Sequence, residues 1–173
     1  MPRKIILSRL WSLLFLLALL GACTSKAYKH QASLDQTVNS PDVAGTGTVE
    51  GQVRITTKYG EVQTGGDSTV YLVPVTPYAT EWFDHYVMQQ QKIDGKDPRS
   101  FVSTHAAIVD HDGHFEFQAI PAGAYYVTCN VHYPHRGLKI GRFSFSLRTV
   151  ETVEAYAKTH VSAGEKAEVL VTR

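Results

Sequence analysis

Residues 111–127, HDGHFEFQAIPAGAYYV, decide the fold, because they contain two runs of alternating side chains. One turn signal precedes the first run, and a second lies between the two runs. In the first turn, the Asp110 side chain can accept hydrogen bonds from backbone amides, and Gly113 can take the positive φ that other residues avoid. The second turn is Pro121-Ala122-Gly123. Alternating runs joined by tight turns predict a β-meander.

Inward-facing residues recur at every second position of both runs. On the first run they are Phe115, Phe117 and Ala119. On the second run they are Tyr125, Val127, Cys129, Val131 and Tyr133. A period of two is that of a strand with one buried face, so both runs are predicted as strands. Cys129 is accordingly interpreted as a small core residue and not as a nucleophile.

The same period appears on both sides of this stretch. Upstream, one face of a strand is formed by Val49, Gly51, Val53 and Ile55. Further strands are predicted at 70–75, 106–109, 142–148, 152–161 and 165–172. Seven or eight short strands with frequent turns are typical of an antiparallel β-sandwich, so we predict a mainly β fold.

One segment departs from this period. Its apolar residues recur with the spacing of one helix face, at Tyr78, Ala79, Trp82, Phe83, Tyr86 and Val87. Thr76 is a suitable N-cap, and Pro77 suits the first helical position. The sequence therefore predicts one amphipathic helix from 78 to about 91, within a helix-plus-loop insertion at 77–100.

Three motifs together resemble the carboxypeptidase regulatory-like domain, a transthyretin-like (Ig-like, prealbumin-like) β-sandwich. They are Gly-x-Val at 51–53, Asp-x-x-Gly-x-Phe-x-Phe at 110–117 and Ile-Pro-Ala-Gly-x-Tyr-x-Val at 120–127. The resemblance places the domain at 47–173. Members of this family are mostly non-catalytic accessory or adhesive modules, so the resemblance implies a protein that is not an enzyme and needs no cofactor.

The first 22 residues are organised as an export signal. Basic residues precede an apolar run at 10–22 that is short for a membrane span. The run ends in Leu20-Gly21-Ala22-Cys23, which resembles a bacterial lipobox. That resemblance implies cleavage between Ala22 and Cys23 and attachment of lipid to the Cys23 thiol. Two or more acyl chains hold a protein stably on a membrane.

The residues after Cys23 predict how the folded domain is linked to its lipid anchor and which membrane holds it. Residues 23–46 are polar and show no sustained period, so we predict a flexible tether. A coil of this length averages roughly 25–30 Å from end to end. In the lipoproteins that this signal resembles, Asp after the lipidated Cys retains the protein in the inner membrane. Thr24 stands there in this chain, so we expect the periplasmic face of the outer membrane in a Gram-negative cell.

Charge and cysteine content exclude two classes of protein. The formal net charge is +1, and no basic patch indicates a nucleic-acid partner. With Cys23 lipidated, Cys129 has no partner within the chain, so this is not a disulfide scaffold.

Two groups of side chains are candidate functional sites. Histidines that could meet at one end of the sandwich are His105, His111, His114, His132 and His135. Imidazole binds zinc and copper well. Since these residues lie at turns and strand ends without an HExxH motif, the sequence predicts no metal site. The second group is Trp82, Phe83 and Tyr86, which either cover an open face of the sandwich or, if exposed, form an interaction surface.

Three functional hypotheses follow. The first is an outer-membrane lipoprotein whose sandwich is a non-catalytic interaction module for an envelope protein or a glycan. The second is a periplasmic lipoprotein that binds metal or catalyses a reaction through its histidines. The third, which rests on architecture alone, is an assembly lipoprotein of a secretion system.

Overall fold

The computed structural model describes residues 27–32, 45–136, 139–140, 143–144 and 148–173, with the backbone alone at 135–136, 139–140, 143–144 and 148–149. Several predictions from the sequence lie outside these residues: the signal peptide with Ala22 and Cys23, most of the tether, and the middle of the strand at 142–148. The strands in chain order are β1 (Tyr28–Lys29), β2 (Thr46–Thr56), β3 (Val62–Thr64), β4 (Thr69–Pro74), β5 (Ile93–Asp94), β6 (His105–Ile108), β7 (His114–Pro121), β8 (Gly123–Arg136), β9 (Lys139–Ile140), β10 (Phe143–Ser144), β11 (Arg148–Val161) and β12 (Lys166–Val171).

Eight of these strands form the two sheets of a β-sandwich. The first sheet has the order β11-β8-β4-β6, and all its neighbours are antiparallel. In the second sheet β12, β2 and β3 follow one another, and β7 also pairs with β2. The predicted fold class is therefore confirmed. One pair departs from the antiparallel pattern, because β12 runs parallel to β2.

The two turns of the opening stretch form, but the predicted meander is wrong. The Asp110 carboxylate accepts hydrogen bonds from the backbone N–H of Asp112 at 3.0 Å and of His114 at 2.7 Å. Gly113 has a φ of 90°. However, β6 and β8 belong to the first sheet and β7 to the second. Each turn therefore carries the chain from one sheet to the other and does not join two hydrogen-bonded neighbours.

The alternation on β7 breaks at Ala119. This residue was predicted to face inward, but it is exposed and Ile120 is buried instead. The cause is a β-bulge: Ala119 has a φ of 55°, and the register with β2 shifts between Gly47 and Val49. An extra residue on one strand moves every later side chain to the opposite face.

Apart from the exchange of Ala119 for Ile120, the core between the sheets consists of the side chains that the period of two assigns to it. Its largest contributions come from β2, β7 and β8, including Val53, Ile55, Phe115, Phe117, Val127 and Val131. Cys129 is fully buried in this core, and burial raises the pKa of its thiol to about 12. The thiol therefore stays protonated at neutral pH, which confirms its interpretation as a core residue.

The insertion covers the outer face of the first sheet. It begins with helix α1 (Pro77–Trp82), continues as a π-helix over Phe83–Met88 and includes a 3₁₀ helix at Pro98–Ser100. The Thr76 side chain accepts a hydrogen bond from the Ala79 backbone N–H at 3.0 Å, which confirms the predicted N-cap. The helical segment ends at Met88, slightly earlier than predicted. Since β4 is buried by the second sheet on one side and by the insertion on the other, its sequence is almost continuously apolar.

Candidate binding cleft

A concave site lies between residues 86–92 of the insertion and the outer face of the first sheet. This cleft has a volume of 460 Å³. It is lined by Tyr86, Val87, Gln90, Gln91, Lys92, Asn130, Thr152, Val153, Glu154 and Arg173. A volume of this size falls in the range of small-ligand sites, and the lining combines one aromatic ring with several polar groups.

The floor of the cleft is formed by polar residues on adjacent strands. Asn130 on β8 is directly opposite Glu154 on β11, and Thr152 lies on the same face two residues away. These positions alternate with core residues such as Cys129 and Val131, so the period of two directs them outward. The outer sheet face therefore presents an amide, a hydroxyl and a carboxylate side by side.

The wall of the cleft is the segment that follows the π-helix. The Gln91 backbone N–H donates to the His85 carbonyl oxygen at 2.9 Å, which turns the chain back after the helix. Gln90 takes a φ of 56° in this turn, a left-handed conformation that costs energy for a residue other than glycine. Its side-chain amide lies against the Arg173 guanidinium, and the orientation that satisfies both groups has the amide oxygen accepting from Arg173. This contact joins the wall to the end of the described chain.

A buried ion-pair network supports the cleft from beneath. The Arg99 guanidinium donates to Asp97 at 2.7 Å and to Glu154 at 3.1 Å, with only 11% of the Arg99 side chain exposed. It also stacks over the rings of Trp82 at 5.0 Å and Tyr86 at 5.5 Å. Burial raises the pKa of Glu154, although the charges of Arg99 and Arg173 partly oppose this. Arg99 therefore fixes both the carboxylate and the ring that the cleft presents.

A second pocket of 340 Å³ adjoins the cleft and shares Tyr86 and Lys92 with it. Its other lining residues are Ala27, Trp82, Ile93, Asp94, Gly95 and Asp97. Ala27 is adjacent to residues 28–32, which run along the insertion, with β1 pairing in parallel with β5. We call residues 28–32 the strap. The predicted flexible tether does not describe this part of the chain, because the strap is docked.

Glu81 on helix α1 holds the end of the strap. Its carboxylate accepts hydrogen bonds from the backbone N–H of Gln31 at 2.7 Å and of Ala32 at 2.8 Å. Next to them, the Tyr28 ring stacks on His85 with centroids 3.6 Å apart, and the His30 ring stacks on Tyr78 at 3.9 Å. Burial opposes ionisation of Glu81, but the hydrogen bonds from the strap outweigh it and lower its pKa to about 2.

We expect the strap to stay docked under mildly acidic conditions. A carboxyl whose pKa is lower in the docked state stabilises that state fully when the pH is above the ordinary pKa. This stabilisation is lost as the pH falls through the lowered pKa. The loss therefore lies between pH 4.5, the ordinary pKa of a glutamate carboxyl, and about pH 2. Carboxyl-carbon NMR should give a Glu81 titration midpoint near the lower of these two values. A midpoint close to 4.5 would mean that the strap does not bind the carboxylate.

The structure places the aromatic side chains of the predicted interaction surface mainly in a core. Trp82 and Phe83 are 3% and 2% exposed, respectively, and belong to a second apolar cluster with Val73, Ala79, Val87 and Tyr126. The exposed interpretation is therefore wrong for these two residues, because the sheet face beneath them is itself apolar. Tyr86 is half-buried and lines both pockets.

The histidines do not assemble a metal site in the part of the chain that is described. No three His, Cys, Asp or Glu side chains among these residues are placed to hold a metal ion. His111 and His114 lie at the β6–β7 turn, where His114 Nδ1 is 3.6 Å from Asp110. His132 Nδ1 is 2.9 Å from the Thr152 hydroxyl. His105 lies on an edge strand, and the side chain of His135 is outside the described residues.

Sequence reasoning missed most of the cleft. Its residues come from three separate stretches, at 86–92, 130 and 152–154, together with Arg173. The available signals were weak: outward polar positions on two strands, and the polar run Gln89–Lys92 at the end of the predicted helix. Only the pairing of β8 with β11 and the fold of the insertion bring them together.

The helices of the described residues are too short or too polar to span a bilayer. No protein-family profile and no curated protein matches this chain. Among solved structures, a Pseudomonas aeruginosa protein proposed to bind carbohydrate is similar, with a TM-score of 0.65 and 22% identity over 83% of this chain and 99% of its own. The minor pilin GBS52 of Streptococcus agalactiae gives a TM-score of 0.36 and 9% identity over 75% of this chain and 44% of its own. The first likeness shows the sandwich fold.

Proposed function

We propose that this protein is a non-catalytic glycan-binding module of the carboxypeptidase regulatory-like type, carried on the periplasmic face of the outer membrane by lipid on Cys23. The observation that carries glycan binding is the convergence of Asn130, Thr152, Glu154 and Arg173 beside the Tyr86 ring. The anchor is supported by the lipobox-like sequence at 20–23 and the export signal before it.

The chemistry of the cleft suits a saccharide. Each sugar hydroxyl both donates and accepts a hydrogen bond, and the cleft offers both roles through amides, a hydroxyl, a carboxylate and a guanidinium. Carbon-bound hydrogens on one face of a pyranose can pack on the Tyr86 ring. The fold likeness to a protein proposed to bind carbohydrate agrees with this function.

Asn130→Ala should weaken glycan binding without unfolding the protein. The Asn130 side chain is half-buried in the cleft and makes no hydrogen bond to the described part of the chain, so its amide is available to a ligand. Losing one or two hydrogen bonds should weaken binding roughly five- to tenfold. We would first screen the whole chain on a glycan array and then titrate the best ligand by calorimetry.

Gln63→Ala is the matched control for this experiment. Gln63 is also a half-buried amide, but it lies on β3 in the opposite sheet. Its substitution should leave the affinity unchanged. Equal weakening by both substitutions, or the absence of any bound glycan, would contradict the proposed function.

A further inference from the structure

The strap sets the distance between the module and its anchor. Without docking, the chain between Cys23 and β2 would act as a coil averaging roughly 25 Å and extending much further. With docking, Ala27 is fixed to the insertion, and the covalent chain allows it to lie at most about 14 Å from Cys23. Ala27 itself lines the pocket that adjoins the cleft. A docked strap therefore brings the cleft next to the anchored residue.

Several independent contacts hold the strap against the insertion. The Tyr28 backbone N–H donates to the Lys92 carbonyl oxygen at 2.7 Å, in line with the pairing of β1 and β5. The imidazole of His30 is 7% exposed in the stack on Tyr78.

Gly95 is part of this docking surface. A Cβ atom at this position would collide with Cδ2 of His30 and would lie 2.9 Å from the Tyr78 hydroxyl oxygen. Gly95 does not have a positive φ, so its backbone conformation does not require glycine. Glycine is needed here because a side chain would block the close approach of the strap.

We infer that the strap, held by Glu81 and admitted by Gly95, keeps the cleft at the membrane surface, so that its ligand is a saccharide carried on a membrane lipid. This inference rests on the lipid anchor and the glycan binding of the proposed function. Glu81 is a positioning residue, because it acts on the ligand only through the strap.

The first test is amide hydrogen exchange of the whole chain. Glu81 accepts from the N–H groups of Gln31 and Ala32, so these amides should be protected, and Glu81→Gln and Gly95→Val should each accelerate their exchange by about tenfold or more. Glu61→Gln, at an exposed carboxylate on the opposite sheet side, is the control and should change nothing. Unprotected amides at 31 and 32 in the unsubstituted chain would overturn the inference. This result is independent of lipid and of glycan.

The second test measures the height of the module above the bilayer. Trp11 leaves with the signal peptide, so Trp82 beside the cleft is the tryptophan of the mature chain. The lipidated protein is placed on vesicles of phosphatidylethanolamine and phosphatidylglycerol that contain a dansyl-labelled lipid. Energy transfer from Trp82 should be strong, and Gly95→Val should reduce it by about half or more as the link becomes a coil. Equal transfer in both proteins would overturn the inference, as would failure to associate with the vesicles.

The third test identifies the source of the saccharide. A glycolipid that carries the best saccharide from the glycan array, placed in the same vesicles, should slow amide exchange at Asn130 and Thr152 in the unsubstituted protein, and this effect should weaken in Gly95→Val. The same saccharide free of lipid should act equally on both proteins. If only soluble peptidoglycan fragments slow this exchange, the membrane-borne ligand is wrong while glycan binding stands. If no saccharide slows it while the strap amides are protected, the proposed function itself fails.

Discussion

Phe83→Ala is expected to lower the free energy of unfolding by about 3–5 kcal/mol, because a large side chain would leave a cavity in a close-packed cluster. Phe83 is 2% exposed, stacks on Tyr126 with centroids 4.2 Å apart and meets the Tyr156 ring edge-on at 5.6 Å. Both partners lie on the outer face of the first sheet, so the substitution tests whether the insertion is truly packed there. Urea denaturation followed by circular dichroism measures the change.

Met88→Ala is the matched control for Phe83→Ala. Met88 ends the same helical segment but is 50% exposed, so its substitution should change stability by no more than about 0.5 kcal/mol. If Phe83→Ala were as mild as Met88→Ala, the second apolar cluster around Phe83 would not be a core, and the cleft that depends on it would lose its wall.

Arg99→Ala should also be strongly destabilising, by about 3 kcal/mol, because it leaves the buried Glu154 carboxylate without its partner. The aliphatic and planar parts of Arg99 also fill the space between Tyr71, Trp82 and Tyr86. Asp97 is 43% exposed and can be solvated by water, which keeps the expected loss at the lower end of the range for buried pairs.

Two variants distinguish the loss of this buried ion-pair network from the loss of any charged side chain. Lys58→Ala removes an exposed partner of Glu151, and an ion pair of this kind contributes little to stability. The double substitution Arg99→Leu with Glu154→Leu removes both charges and should recover part of the stability lost in Arg99→Ala. No recovery in thermal unfolding would contradict a role for charge desolvation at this site.

The periodic patterns of the sequence were sufficient for the local elements. The period of two correctly assigned the buried faces of β2 and β8, and the Thr76-Pro77 pair located the start of helix α1. The sheet to which each strand belongs was not predictable in this way. A strand has the same local pattern whether its turn leads to a neighbour or across the sandwich, so 111–127 was interpreted as a meander.

The bulge and the strap show two further limits of sequence reasoning. Nothing in Gln118-Ala119-Ile120 marks the extra residue, since alanine has no preference for a positive φ. The strap looks like any polar segment, and its docking depends on Glu81, about fifty residues away in the chain. Such contacts follow from tertiary packing and leave no local signature.

The central claim is that a glycan binds in the cleft on the outer face of the first sheet. The most direct measurement is an NMR titration of the whole chain with the best ligand from the glycan array, following the backbone amides. The account predicts that the amides of Gln91, Asn130 and Thr152 shift together with one affinity, while that of Gln63 on the opposite sheet stays unchanged. Shifts confined to the opposite sheet, or to the β6–β7 turn that carries His111 and His114, would contradict it.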